Sequence, residues 1–179
     1  MSDKNFLVSI RPLDTSDTEA VSKGYLAQHN FHELTTGFEA GVNIKTAIDY
    51  VQRSIEERTH MRAYRYGIWI QPTVMIGVVE LHKINWVHRR CEVGIQIWDS
   101  NFQSKGYGTM ALNCIINLAF DRLNINRLSA TITSDNIVSR NLFNSAGFIE
   151  EGQLKEYIYV NGRYLDAIIV RLLRSEKKR

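Results

Sequence analysis

Cysteine and proline are both scarce in this 179-residue chain, with two of each. Cys91 and Cys114 form no C-x-x-C pair, one falling in a strand-like run and the other in a helix-like run. They therefore read as buried thiols of a cytoplasmic protein, not as a disulfide or a nucleophile. No apolar run reaches the roughly 18 residues that crossing a membrane requires, and the Met1 end lacks the apolar segment of a secretory signal. Charge of one sign is not in large excess, the net value being +3. The one dense basic cluster is Lys177-Lys178-Arg179, preceded by Arg171 and Arg174. That pattern reads as a solvated tail; a nucleic-acid surface needs basic residues gathered on a folded face with aromatics among them. Repeats and linkers are missing too. What is present, 44% hydrophobic and 23% charged residues, is the composition of an ordinary globular protein. The length suits one domain over residues 1–179, with a core at about 8–173 and a basic tail at 174–179.

Hydrophobic period places the elements. Residues 8–10 read as a short strand ended by Pro12, and residues 14–16 supply caps for a helix to about Ala27. Residues 31–41 read as a loop. Asn43 then caps a helix whose Ile44, Ala47, Ile48, Val51 and Ile55 fall three or four apart. Residues 64–70, 74–82 and 91–98 are β-rich runs that read as antiparallel neighbours, the first two joined across Gln71-Pro72. An apolar stripe from Ala111 to Leu123 marks a helix beginning near Thr109. Residues 127–133 then form a strand, and residues 138–146 a short helix stopped by Gly147. Asn161-Gly162 between alternating runs at 154–160 and 163–172 is a strong hairpin signal. This order implies an α/β fold, a single mixed sheet with helices on both faces.

The loop before the third helix is the most informative segment. Gln103-Ser104-Lys105-Gly106-Tyr107-Gly108 joins a strand to a helix, and such a glycine-rich turn aims several backbone N–H groups outward at the positive end of a helix dipole. A phosphorylated cofactor is implied. Residues 106–111 also fit the G-x-G-x-x-A dinucleotide pattern, but that pattern needs the strand to run almost straight into the first glycine, and here residues 99–105 intervene.

The fuller pattern, Gln-x-x-Gly-x-Gly, resembles the pyrophosphate loop of the Gcn5-related N-acetyltransferases, the GNAT superfamily. A second segment, Asp135-Asn136-x-x-Ser139-x-x-Leu142-Phe143-x-x-x-Gly147-Phe148, resembles that superfamily's second cofactor motif at the expected distance. The runs from His88 to Ile95, from Glu151 to Glu156 and from Tyr159 to Asp166 are similar to the branch that acetylates ribosomal-protein N-termini. The resemblance implies a mostly antiparallel sheet splayed between its fourth and fifth strands, acetyl-CoA as donor, helices walling the acceptor side, and a homodimer covering the apolar C-terminal hairpin.

It also implies roles. Gln103, Ser104, Lys105, Gly106, Tyr107, Gly108 and Thr109 would hold the pyrophosphate. Ile97 and Trp98, at the end of the splayed strand, would offer backbone groups to the pantetheine amides. Asn136 would bond the pantetheine arm while capping its helix, and Arg140 would meet the 3′-phosphate or simply face solvent. The chemistry implied is direct attack of an amine on the thioester, which needs a neutral amine, a polarised carbonyl and a proton donor for the thiolate. Many members carry a tyrosine where this chain has Phe143. In the ribosomal branch the donor matches Ser139 and the base matches Glu92, acting through water. Glu92 reads equally well as the partner of Arg89 or Arg90, and Ser139 as a helix-start residue bonded to nearby backbone.

Other residues carry weaker signals. His29-x-x-His32 has metal-ligand spacing but reads as a pair of solvent-exposed or capping histidines. His82 and His88 flank a strand connection near the expected acceptor mouth. Trp86, Trp98, Tyr157, Tyr159 and Tyr164 read as core or cleft-wall residues, and one of these tyrosines is an alternative proton donor. An α-amine titrates near 8 and a lysine-like amine near 10.4, so freeing the latter at neutral pH costs about 3 kcal/mol more. Lacking the tyrosine, the site suits the easier amine, a protein or peptide N-terminus. Against this, Glu80-Leu81-x-x-Ile84-Asn85-x-Val87-His88-Arg89-Arg90 is also similar to bacterial spermidine acetyltransferases, and a non-catalytic acyl-CoA sensor is a third reading. Nucleic acid, membrane and metal are not expected partners.

Overall fold

The computed structural model describes residues 8–26, 44–70, 73–160 and 162–177. The histidine pair, the loop at 31–41, the Asn43 cap, the Gln71-Pro72 turn, Asn161 and the last two residues of the basic tail lie outside them. Strands β1 (Val8–Pro12), β2 (Tyr64–Ile70), β3 (Met75–Asn85), β4 (Arg90–Ile97), β5 (Arg127–Thr133), β6 (Ile149–Val160) and β7 (Arg163–Leu173) form one sheet in the order β1-β2-β3-β4-β5-β7-β6. The helices are α1 (Thr18–Leu26), α2 (Ile44–Thr59), α3 (Tyr107–Asn117) and α4 (Ile137–Ser145). This is the mixed sheet with helices on both faces that the element order implied.

Side-chain alternation gives the two faces separate cores, because successive strand residues point to opposite sides. Cys91 and Val93 of β4 pack with Leu112, Ile115 and Ile116 of α3 and Phe143 of α4. Val78 of β3 and Trp98, just past β4, pack with Val21 and Tyr25 of α1 and Ala47, Tyr50 and Val51 of α2. α3 runs on into a single π-helical turn at Leu118–Arg122, which explains why its apolar stripe extends to Leu123. β6 begins at Ile149, earlier than the alternation indicated, because bulges after Glu150 and Leu154 break the period of two that marks a strand in sequence.

Several expectations need correction. Cys114 is half-buried, whereas Cys91 is buried as expected, and burial pushes the Cys91 thiol up to about 12. Tyr157, Tyr159 and Tyr164 are 58%, 65% and 63% exposed, because they sit on the hairpin beyond the last β5–β7 pair, Thr133↔Ala167, where no helix among the described residues covers them. Trp86 is also exposed, its indole donating to the Met61 carbonyl at 3.0 Å. The tail is docked at its start: Arg174 donates to the Asn124 side chain at 2.7 Å and to the Phe120 carbonyl, and Lys177 donates to Asp121 at 2.7 Å.

Candidate active site

The sheet opens where one pair of strands is parallel. β4 and β5 pair at Arg90↔Arg127, Cys91↔Leu128 and Glu92↔Ser129 and no further. β4 stays paired with β3 as far as Gly77↔Ile97, and β5 with β7 as far as Thr133↔Ala167. The two strands therefore part after Glu92, leaving their facing edges without each other's backbone partners. An extended ligand rich in amides can satisfy such edges.

The segment leaving β4 is built to present N–H groups. Asp99 caps a 3₁₀ turn at Ser100–Phe102 by accepting from the Asn101 N–H at 2.8 Å, and Gln103 closes that turn through its N–H to the Ser100 carbonyl. The Gln103 side chain donates back to the Ile97 carbonyl at 3.0 Å, fixing the loop to the end of β4. Ser104 and Gly106 then take positive φ values of 57° and 84°, and Gly106 is the N-cap of α3. The cap has no side chain, and the first bond of the helix runs from Met110 N–H to the Gly106 carbonyl at 3.0 Å. The N–H groups of residues 104–109 consequently have no acceptor among the described residues. Six successive donors at a helix N-terminus fit an anionic, multi-oxygen group such as a pyrophosphate.

The two glycines of this loop have different surroundings. A Cβ on Gly106 would meet nothing within 4 Å, and what demands glycine there is its left-handed backbone. A Cβ on Gly108 would stand 3.5 Å from the Leu142 side chain of α4. That distance is ordinary van der Waals contact, so the packing of α3 on α4 does not by itself require glycine at this position. Lys105 is exposed beside the loop.

Elsewhere the predicted residues scatter. Trp98 is buried, with its ring centroid 5.3 Å from that of Tyr25 and its backbone N–H donating to the Ile76 carbonyl at 2.9 Å. Its side chain thus belongs to the α1/α2 core, not to the β4–β5 opening. Phe143 is core as well, edge-on to Phe148 at 5.0 Å. Asn136 caps α4 by accepting from the Ser139 N–H at 3.0 Å, as a turn residue should. Ser139 Oγ makes no hydrogen bond among the described residues, so it is not tied to nearby backbone. Arg140 reaches the Glu150 carboxylate at 3.3 Å and the Ser134 carbonyl at 3.4 Å.

Glu92 lies at the last paired step of β4, opposite His82 of β3. Its carboxylate accepts from Lys83 Nζ at 3.0 Å, so its partner is Lys83 and neither Arg89 nor Arg90. An irregularity between His82 and Asn85 holds Lys83 at φ 51°. Arg89 turns away to the Asn124 carbonyl at 2.9 Å. No contact joins Glu92 to Ser139; they stand on separate elements flanking the opening.

Sequence reasoning missed a polar cluster beneath α2. Arg65 of β2 donates through Nε to Glu80 of β3 at 2.7 Å and through a terminal nitrogen to Glu57 of α2, and it lies over the Tyr50 ring at 5.5 Å. Its residues come from three elements with no shared motif, and only the alternation of β2 and β3 signals that Arg65 and Glu80 share a face.

Comparisons with known proteins agree with this architecture. Residues 8–149 match the acetyltransferase (GNAT) domain family. The chain is 36% identical over 165 residues to spermidine N(1)-acetyltransferase of Escherichia coli K12, covering 90% of this chain and 83% of that protein. It is 29% identical over 172 residues to YdaF of Bacillus subtilis, provisionally assigned as a ribosomal N-acetyltransferase, covering 94% and 92%. Among solved structures, Mycobacterium smegmatis RimJ in complex with CoA-disulfide superposes with a TM-score of 0.85 at 23% identity, covering 96% of this chain and 84% of that one. With its split sheet and a row of N–H groups that find no acceptor among the described residues, the chain belongs to the GNAT family and is an acetyl-CoA-dependent N-acetyltransferase.

Proposed function

We propose that the acceptor is the α-amine of a protein or peptide N-terminus. The observation that carries this reading is Phe143, a buried core ring with no proton to give at the position where the superfamily resemblance implies a tyrosine. A site so equipped suits an amine that is already partly neutral near pH 7. The likeness to YdaF over almost the whole of both chains supports the same choice. In this reading Glu92 takes a proton from the amine through water, and Ser139, whose hydroxyl is uncommitted, gives one to the departing thiolate. The protein works in the cytoplasm as a homodimer, its exposed hairpin tyrosines covered by the second copy.

The second reading is a polyamine acceptor, favoured by the 36% identity to the spermidine enzyme. Coenzyme A release with a short peptide, with spermidine and with no acceptor separates the two. Release with the peptide alone is expected. Release with spermidine alone transfers the function to the second reading, and release with neither amine leaves a cofactor-binding protein without transferase activity toward either. Sedimentation giving a single monomeric species at micromolar concentration would remove the dimer.

A further inference from the structure

Glu80 stands directly opposite Gly94 in the β3–β4 ladder, on the face covered by α1 and α2. A Cβ built on Gly94 would lie 3.0 Å from both Cγ and Oε1 of Glu80, so the Glu80 side chain occupies the place that a β4 side chain would take. Pairing between β4 and β5 ends at Glu92, and Gly94 is the next β4 residue on the same face. The carboxylate thus leans across β4 at the step where the two parallel strands part.

Its two oxygens are in different states. Oε2 accepts from Arg65 Nε at 2.7 Å, while Oε1 accepts no hydrogen bond among the described residues. The Glu80 side chain is 25% exposed and the Arg65 side chain 14%. A carboxylate has room for several donors, and leaving lone pairs unpaired in such a place costs free energy until a donor arrives. The charges point the same way: Glu57 and Glu80 share the single guanidinium of Arg65, leaving one negative charge over. The groups packed above, Tyr25 of α1 and Tyr50 of α2, are held neutral because burial raises both phenols, with the charge of Glu80 adding to the shift. On the sheet beside it lie His82 and the Glu92–Lys83 pair.

We propose that Glu80 Oε1 receives an N–H of the acceptor's primary amine, that Arg65 fixes the carboxylate for this contact, and that Gly94 is glycine to leave it the space. The assignment rests on the reading that an amine is acetylated, whichever amine that is. It gives the two carboxylates of this face separate tasks, Glu80 holding the nitrogen and Glu92 relaying its proton.

The test is steady-state kinetics at saturating acetyl-CoA with a tetrapeptide bearing a free α-amine and, separately, with spermidine. For the amine that the wild type acetylates, Glu80→Gln should raise the acceptor KM by roughly tenfold or more, the scale of a lost hydrogen bond to a charged group. Coenzyme A affinity by calorimetry should stay unchanged. Gly94→Ala keeps every charge and only displaces the carboxylate, so it should raise the same KM; it preserves the test if Glu80→Gln fails to fold. A merely structural role would lower the melting temperature of both variants and leave the KM alone. Unchanged KM in a folded Gly94→Ala protein overturns the assignment while the functional reading stands. A wild type that acetylates neither amine overturns that reading and this assignment with it.

Discussion

The two sides of the β4–β5 opening are made of different material. On the cofactor side the groups on offer are backbone: the N–H groups of residues 104–109, which have no acceptor among the described residues, and the facing edges of two strands that part after Glu92. On the face covered by α1 and α2 the polar groups are side chains drawn from four elements, with Tyr50 and Glu57 on α2, Arg65 on β2, Glu80 on β3 and Glu92 on β4, and it is here that we propose the acceptor sits. Acetyl-CoA is one fixed molecule, and one fixed backbone path can serve it. An acceptor differs between relatives, and side chains can change one at a time without moving the sheet.

The sharpest way to break this contrast is to remove acceptor-side chemistry and ask whether the cofactor side notices. Glu92→Gln should lower turnover by about 100-fold, the usual scale of a lost general base, with coenzyme A affinity intact. Ser139→Ala should cost less, since a thiolate with a pKa near 8.5 needs only modest help to leave. The rising limb of the pH profile should shift in Glu92→Gln and not in Ser139→Ala. Turnover close to wild type in both, with one unchanged profile, would mean that positioning alone drives the reaction or that an exposed hairpin tyrosine such as Tyr157 gives the proton.

The reverse experiment alters the cofactor side and separates its two glycines. Gly106 holds φ 84°, a conformation that costs an L-residue roughly 1–2 kcal/mol. Gly106→Val should therefore distort the row of N–H groups and weaken coenzyme A binding by about tenfold, seen by calorimetry. Gly108 faces Leu142. Gly108→Val should act on stability, by roughly 1–3 kcal/mol of overpacking between α3 and α4, with a smaller effect on affinity. Equal losses of affinity in the two variants would show that the loop reads both glycines alike.

What the sequence disclosed follows the same division. A backbone site must place glycine at fixed spacing between a strand and a helix, so Gly106, Gly108 and the Asn136 cap were legible as a pattern, as were the sheet order and the hairpin. The side-chain site was not, because Arg65, Glu57 and Glu80 lie up to 23 positions apart and meet only through strand register and the seat of α2. Gly94 was legible as a glycine, but its reason is a neighbour on another strand. Trp98 shows a second limit: its side chain fills the space beside Gly24, where a Cβ would come within 1.8 Å of the ring, so it serves the acceptor-side core although it directly precedes the cofactor loop. The exposed hairpin tyrosines were misjudged because alternation tells which residues share a face, not whether anything covers it.

The smallest expected effect compares the two sides through their response to alkali. Burial, with the charge of Glu92 adding, raises the Cys91 thiol to about 12, and burial raises Cys114 as well. An unfolded thiol titrates near 8.5. A folded pKa above the unfolded one means that this contribution to stability is complete below the unfolded value and falls as pH climbs toward the folded one, because unfolding then releases a proton. The same sign holds for Tyr25 and Tyr50 on the acceptor side, but their unfolded value lies near 10. Between about pH 8.5 and 10, then, the alkaline loss belongs mainly to the thiols beside α3. Above pH 10 the pair of Tyr25 on α1 and Tyr50 on α2 joins it. The unfolding free energy from urea titrations should fall over the first interval by an amount approaching, for Cys91, the limit of about 1.4 kcal/mol per pH unit. Cys91→Val should flatten that interval and leave the steeper loss above pH 10 in place. A Cys91→Val profile parallel to the wild type between pH 8.5 and 10 would show that the buried thiol does not couple to folding, and that the first alkaline loss arises elsewhere in the molecule.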